Sequence, residues 1–322
     1  MRDARPRDVA RPVGLWTALR GRIARARDGD LWYHFKRSPV TVIAAAITAV
    51  FALAALAAPL IAPQDPFDTR ALDILDARIP PVWLEGGQAR YPLGTDSQGR
   101  DVLSTIIYGS RISLGVSLAA TLFAVLLGVS LGLVSGYAGG RLDNLAMRLA
   151  DVQLSFPTIL IALLIDGIAR TALPKALHQE LAIPILVLAI GMASWVQYAR
   201  TVRGTTMVEK NKEYVQAARV IGQRPWYILV HHILPNVLGP VLVIATLGLG
   251  LAILTEATLS FLGLGVPATQ PSLGTLIRIG NEVLFSGEWW MTIFPGVWLV
   301  TLVLAVNLLG DWLRDALNPK LR

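Results

Sequence analysis

Five stretches of this chain, residues 40–61, 112–134, 181–199, 233–255 and 289–310, contain no Asp, Glu, Lys or Arg. About 20 apolar residues in a helix cross the roughly 30 Å hydrocarbon core of a bilayer, and every one of these stretches meets that length. A sixth, 152–169, has the same character apart from Asp166 near one end. A soluble fold cannot hide this much apolar surface: 54% of the 322 residues are hydrophobic and only 16% are charged, against roughly 25% charged in ordinary globular chains. Mean hydropathy is +0.54, which excludes disorder as well. The first run follows 39 other residues and exceeds the usual apolar core of a signal peptide, about 7–15 residues, so it reads as a span. The expected fold is an all-α polytopic membrane protein with six transmembrane helices.

Charge gives the orientation. The net charge of +7 alone would suit nucleic acid. The basic residues instead crowd into segments between the apolar runs, so the partner they indicate is the lipid bilayer and no nucleic acid is expected. Six crossings put both termini on one side, and that side carries 21 Lys and Arg residues against 8 on the other. Positive loops stay inside, so both termini are expected in the cytoplasm.

The chain then divides into a basic arm (1–39), a first span (40–61), a periplasmic segment (62–111), a core of five spans (112–310) and a cytoplasmic tail (311–322). Within the arm, residues 15–36 mix Arg with Trp16, Trp32, Tyr33 and Phe35. That mixture suits either a helix on the inner headgroup surface or a disordered topogenic tail. Segment 62–111 holds five prolines and several acids. It reads as an ordered external element ending in a short helix from about Ser97. Pro157 is expected to bend the third span, because proline removes a helical hydrogen bond.

The loop 200–232 carries the sharpest pattern. Residues 207–221 favour helix, with Gly222 placed to end it in a left-handed conformation. Pro225 opens a second short helix, and the chain re-enters the membrane at Pro235. Ala217 and Ala218 leave a low surface, with Glu213 one turn before. From the residues alone, a docking elbow and an unpartnered pair of interfacial helices are equally open.

Elsewhere, no catalytic or metal site assembles. Cysteine is absent, so disulfides, thiolate metal sites and cysteine nucleophiles drop out. His231 and His232 are adjacent, hence about 100° apart on a helix, and read as structural. There is no H-E-x-x-H pattern, and Ser260 and Ser272 lack a suitably placed base. No Walker lysine follows Gly263-Leu264-Gly265. This chain is expected to be non-catalytic and to bind no metal, ATP or other cofactor of its own.

EYVQAARVIG (213–222) followed by HILPN (232–236) resembles the EAA loop of bacterial ABC-importer permeases, in the version of the dipeptide/oligopeptide family. Residues 92–117, 149–164, 254–277 and 314–322 are similar to the C-type permease subunit of that family, so the likeness runs from about residue 32 to the end. The resemblance implies the ABC type I importer permease fold, and import of di/oligopeptides or related small solutes. It implies as partners a homologous second permease, two ATP-binding subunits that hold ATP and Mg, and a periplasmic substrate-binding protein. It assigns Glu213, Tyr214, Ala217, Ala218, Arg219 and Gly222 to ATPase coupling, Glu213 through polar contacts and Gly222 at the bend. Asp166 departs from a stretch that is usually apolar in the family. It is expected either as an interfacial acid or, with Glu256, along the translocation pathway. Glu256 can also serve structurally, bonding hydroxyl or backbone groups. The other class of function left open is a secondary transporter or channel-like subunit without ATPase partners.

The topology has a direct check. A reporter fused after Arg219 is expected in the cytoplasm and one inserted near Asp76 outside it; the same compartment for both would contradict six spans.

Overall fold

A computed structural model describes residues 35–68, 72–174, 177–267 and 269–316. The N-terminal arm up to residue 34 and the tail from 317 lie outside the described residues. So do the aromatic and basic groups assigned there to the headgroup surface, Phe35 and Lys36 excepted. Among the described residues the chain is helical, with a single isolated β-bridge between Thr95 and Asp101.

Five helices are long and apolar enough to cross a membrane. They are α1 (Pro39–Leu56, continued by the short α2, Ala58–Ile61), α3 (Val102–Ala138), α6 (His178–Glu209), the run from α8 (Pro225–Ile228) into α9 (Leu234–Phe261), and α11 (Trp290–Ala316). The third crossing is not one helix. α4 (Gly140–Leu154) and α5 (Thr158–Ala172) meet at 96° across Ser155–Pro157. Pro157 does more than bend a span: it sits before α5 with extended ψ of 132°, so the chain leaves one helix and starts another. Sequence composition hid this, because 152–169 is apolar across the break.

The helix expected from about Ser97 also differs. Residues before it form a turn with Gly99 at φ +77°. Asp101 is the N-cap, accepting from the Ser104 N–H at 2.7 Å, and α3 then runs unbroken for 37 residues into the membrane. The preceding segment is tied down by buried polar contacts. Arg100 pairs with Asp96 at 2.6 Å, and the Trp290 indole donates to the Thr95 carbonyl at 3.1 Å.

α6 is the central helix: 56% of its span window is buried inside the chain, against 17% for α1 at the edge. It lies against α3 at backbone distance. Gly128, Gly132 and Gly136 recur every fourth residue on one stripe of α3. A Cβ there would meet Trp195 O at 2.6 Å, Ala199 O at 2.6 Å and Arg203 O at 2.9 Å respectively. From the other side, a Cβ on Gly191 of α6 would meet the Phe123 ring at 2.6 Å. Lipid is as apolar as leucine, so helices in a bilayer associate by close packing, and small residues at every fourth position permit it. α10 (Leu273–Val283) wedges between α9 and α11 by the same device. A Cβ on Gly274 would lie 2.3 Å from Ala257 O, and one on Gly280 2.5 Å from Met291. Phe51 stacks on Trp298 at 4.1 Å and attaches α1 to α11.

Gly132→Val is therefore expected to destabilise the protein by more than the roughly 1–3 kcal/mol of ordinary overpacking, since the obstruction is backbone. Gly204→Ala, where nothing lies within 4 Å, is expected to hold or gain up to about 1 kcal/mol from helix propensity. Thermal unfolding in detergent checks both; equal stability of the two variants would contradict the close contact.

Candidate functional site

The loop between α6 and α9 folds as an elbow, differently from the single 207–221 helix expected. α6 continues to Glu209, residues 210–212 turn, and α7 (Glu213–Val220) is a separate helix. The break follows from polar side chains that hold the turn. Glu209 accepts from Lys212 Nζ at 2.6 Å and from the Tyr214 hydroxyl. Lys210 Nζ donates to the Gly136 carbonyl at the end of α3, 2.7 Å away, where unsatisfied carbonyls favour a cation. Gly222 adopts φ +81°, the left-handed conformation its position requires. Pro225 is at the first turn of α8. α8 is not a separate surface helix: a π-helical turn at Leu229–Ile233 carries it directly into α9. His231 and His232 lie in that turn. One stacks on Tyr227 at 4.1 Å and the other bonds Gln223 at 2.8 Å, so they do not converge on a common ligand.

α7 has two distinct faces. Val215 and Ala218 are buried, packed with Ile228, Leu229, Ile233 and Val237 in the cluster under the elbow. Tyr214 leans toward the same side. Its hydroxyl donates to Glu209 and accepts from Asn236 Nδ2 at 3.0 Å. Burial, then the hydrogen bond to Glu209 and its charge, push the Tyr214 pKa up to about 12, which keeps the phenol protonated as a donor. Arg219 lies over the Tyr137 ring at 5.0 Å. The outer face carries Glu213, Ala217, Val220 and Ile221, all exposed, with the last two at 88% and 78% and Trp226 at 73% just beyond. Of the six residues assigned to coupling, Glu213, Ala217 and Gly222 are exposed. Tyr214, Ala218 and Arg219 engage the protein itself, so the low surface expected from Ala217 and Ala218 together is provided by Ala217 alone.

The two membrane acids lie elsewhere, and both are enclosed at 0% exposure. Asp166 accepts from Arg170 Nε at 2.6 Å. Arg170 in turn donates to the carbonyls of Leu264 and Gly265. This fastens α5 to the turn after α9. Glu256 accepts from Ser113 at 2.7 Å and from Ser260 at 2.7 Å. Ser113 also takes the N–H of Leu273 at 3.2 Å, so the carboxylate knots α3, α9 and α10 together. Both acids are enclosed within this chain, and packing hydroxyls and a cation around a carboxylate is what makes its burial tolerable. Asp166 is not a simple interfacial acid.

Arg170, Glu209, Lys210 and Asn236 were not singled out in the sequence. Arg170 was legible, four residues beyond Asp166 on one helical face. The contacts of Asn236 with Tyr214 and of Lys210 with Gly136 join residues too distant in sequence for any periodicity to show. Among the described residues, no group of three His, Asp or Glu could hold a metal ion. An apolar cavity of about 390 Å³ lies beside the elbow between α3 and α9. Its only hydroxyl, Ser130, is spent on the Leu126 carbonyl at 2.7 Å.

Comparison with known proteins agrees with this arrangement of spans and elbow. Residues 128–322 match the family described as binding-protein-dependent transport system inner membrane component. Residues 29–81 match the N-terminal TM domain of oligopeptide transport permease C. The dipeptide transport system permease protein DppC of Haemophilus influenzae is 40% identical over 91% of this chain and 95% of its own length. The di/tripeptide transport system permease protein DppC of Pseudomonas aeruginosa is 38% identical over 91% and 92%. The oligopeptide transport system permease protein OppC of Bacillus subtilis is 35% identical over 91% and 90%. A solved structure of the MetNI methionine ABC transporter, in inward-facing conformations, has a chain that superposes with a TM-score of 0.51. It is 21% identical and the match covers 67% of this chain and 97% of that one, which shows a shared fold. The chain belongs to the binding-protein-dependent transport system inner membrane components, and within them to the C-type permease subunits of dipeptide/oligopeptide ABC importers.

Proposed function

We propose that this subunit forms half of a translocation pathway for di- or oligopeptides or related small solutes, and that the elbow at residues 207–228 receives an ATP-driven stroke. A homologous second permease supplies the other half. Two ATP-binding subunits hold ATP and Mg on the cytoplasmic side, and an external binding protein delivers the solute. Both termini and the elbow lie in the cytoplasm in this reading, as the distribution of 21 and 8 basic residues suggests. Hydrolysis belongs to the ATPase partners and this chain is non-catalytic.

The observation that carries the docking role is the outer face of the elbow. Val220, Ile221 and Trp226 are large apolar side chains exposed on the elbow, and Glu213, Arg219 and Arg224 of the same loop are exposed with them. Apolar anchors beside an exposed Glu213 fit a protein groove with a polar rim. The elbow is continuous at one end with α6 and, through the π-turn, with α9 at the other, so a push on it reaches two spans without an intervening flexible loop. Asp166 and Glu256 serve in this account to hold the outer halves of the spans together.

Glu213→Ala is expected to insert and fold normally, because the carboxylate is exposed and alanine favours helix. It is expected to weaken transport through loss of a charge-assisted contact, about 1.5–3 kcal/mol. Gly222→Val is expected to be worse, since a β-branched residue resists φ +81°, and nothing within 4 Å would otherwise obstruct the side chain. Uptake and ATP hydrolysis in the reconstituted complex measure both. Normal uptake by Gly222→Val would sink the assignment of the elbow.

A further inference from the structure

The elbow reads as a lever, and a lever needs a fixed angle to the parts it moves. Three covalent joints here are weak points. They are the 210–212 turn between α6 and α7, the Gly222 turn, and the π-turn that begins α9. A π-turn carries one extra residue per turn and bends readily. One set of side chains crosses these joints together. Glu209 is the last residue of α6, Tyr214 the second of α7, and Asn236 is in the first turn of α9. The Tyr214 hydroxyl donates to Glu209 and accepts from Asn236 Nδ2 at 3.0 Å. Asn236 Nδ2 also donates to the His232 carbonyl at 2.8 Å, inside the π-turn. Lys212 Nζ holds the second oxygen of Glu209 at 2.6 Å. A phenol hydroxyl is suited to this position because one oxygen donates and accepts at once.

We propose that Glu209, Tyr214 and Asn236 form a clasp that locks α6, α7 and the start of α9 into one rigid body, and that Tyr214 is a positioning residue of the coupling stroke rather than a contact to the ATPase. The proposal rests on the docking reading of the elbow but concerns a different face of α7. Docking uses the side that bears Glu213, Ala217 and Val220, whereas the clasp lies on the side turned toward α6 and the start of α9, where Glu209 is buried and Tyr214 and Asn236 keep solvent exposure. With the clasp closed, displacement of α7 turns both spans. With it open, α7 swings about its turns and the spans stay behind.

The chain has no cysteine, so two introduced thiols, labelled before assembly, are the only thiols of this subunit to carry spin labels. Gln216→Cys on α7, a position not assigned to docking, and Leu251→Cys on α9 are both exposed sites. Distances are measured in the assembled complex, nucleotide-free and with ATP plus vanadate. The expected result for the labelled parent is one narrow distribution, the same in both states. Tyr214→Phe and Asn236→Ala are each expected to add a second, broad population, raised about tenfold by loss of the hydrogen bonds. The double variant is expected to be no worse than either single one, because the bonds act as a unit. Co-purification of the ATPase subunits is expected to be unchanged.

Identical distributions in parent and variants would overturn the clasp, as would a parent distribution that already shifts with nucleotide. Loss of the ATPase subunits on Tyr214→Phe would also overturn it, by making Tyr214 a docking residue. If the parent itself fails to retain ATPase subunits, the docking reading fails, while the same distance comparison in the solubilised chain still decides whether the clasp holds the angle.

Discussion

The contact on which this structure most depends is the backbone-level approach of α3 and α6. Three glycines four residues apart on α3 admit the carbonyls of Trp195, Ala199 and Arg203. Their spacing keeps the two helices together from the middle of α3 to the end that carries the elbow. No water is present in a bilayer core to drive apolar side chains together, so stability comes from how many atoms can touch. Removing side chains altogether maximises this. The same pair emerges where Lys210 meets Gly136 and Arg219 meets Tyr137. The elbow is thus built onto the most tightly packed unit of the protein.

Polar groups secure what glycine contacts cannot. At one end of the spans, Glu256 gathers hydroxyls from α3 and the end of α9, and Asp166 with Arg170 anchors α5 to the turn after α9. At the elbow end, Asp143 and Arg203 form a two-pronged pair at 2.5 and 2.7 Å between α4 and α6. The broken third crossing is therefore pinned on both sides of its 96° bend. α4 stays largely exposed apart from Asp143 and Ala150.

Much of this was legible in the chain, and the exceptions share a cause. The five charge-free runs mark five of the helices, because a helix that meets lipid advertises itself by composition. Gly222 and Pro225 were readable since φ and the missing N–H are local properties. The third crossing was not, because both sides of its break are apolar and only Pro157 hinted at the turn. The end of α6 at Glu209 was hidden as well: 207–221 has good helix propensity throughout, and the break is imposed by Lys210 and Tyr214 reaching partners on other helices. Ala218 was misjudged together with Ala217, although 100° per residue already separates adjacent positions on a helix. Burial of one and exposure of the other follow from that angle.

In the proposed coupling role, the outer face of the elbow would meet an ATPase while the inner face meets its own spans. A thiol cross-link tests that division most directly, in a chain without cysteines of its own. Ile221→Cys is 78% exposed in the parent residue and Ala218→Cys is buried. In the assembled complex, a cross-linker of short reach is expected to join position 221 to an ATP-binding subunit and to leave position 218 unlinked. No link from 221, or an equal link from 218, would contradict the account.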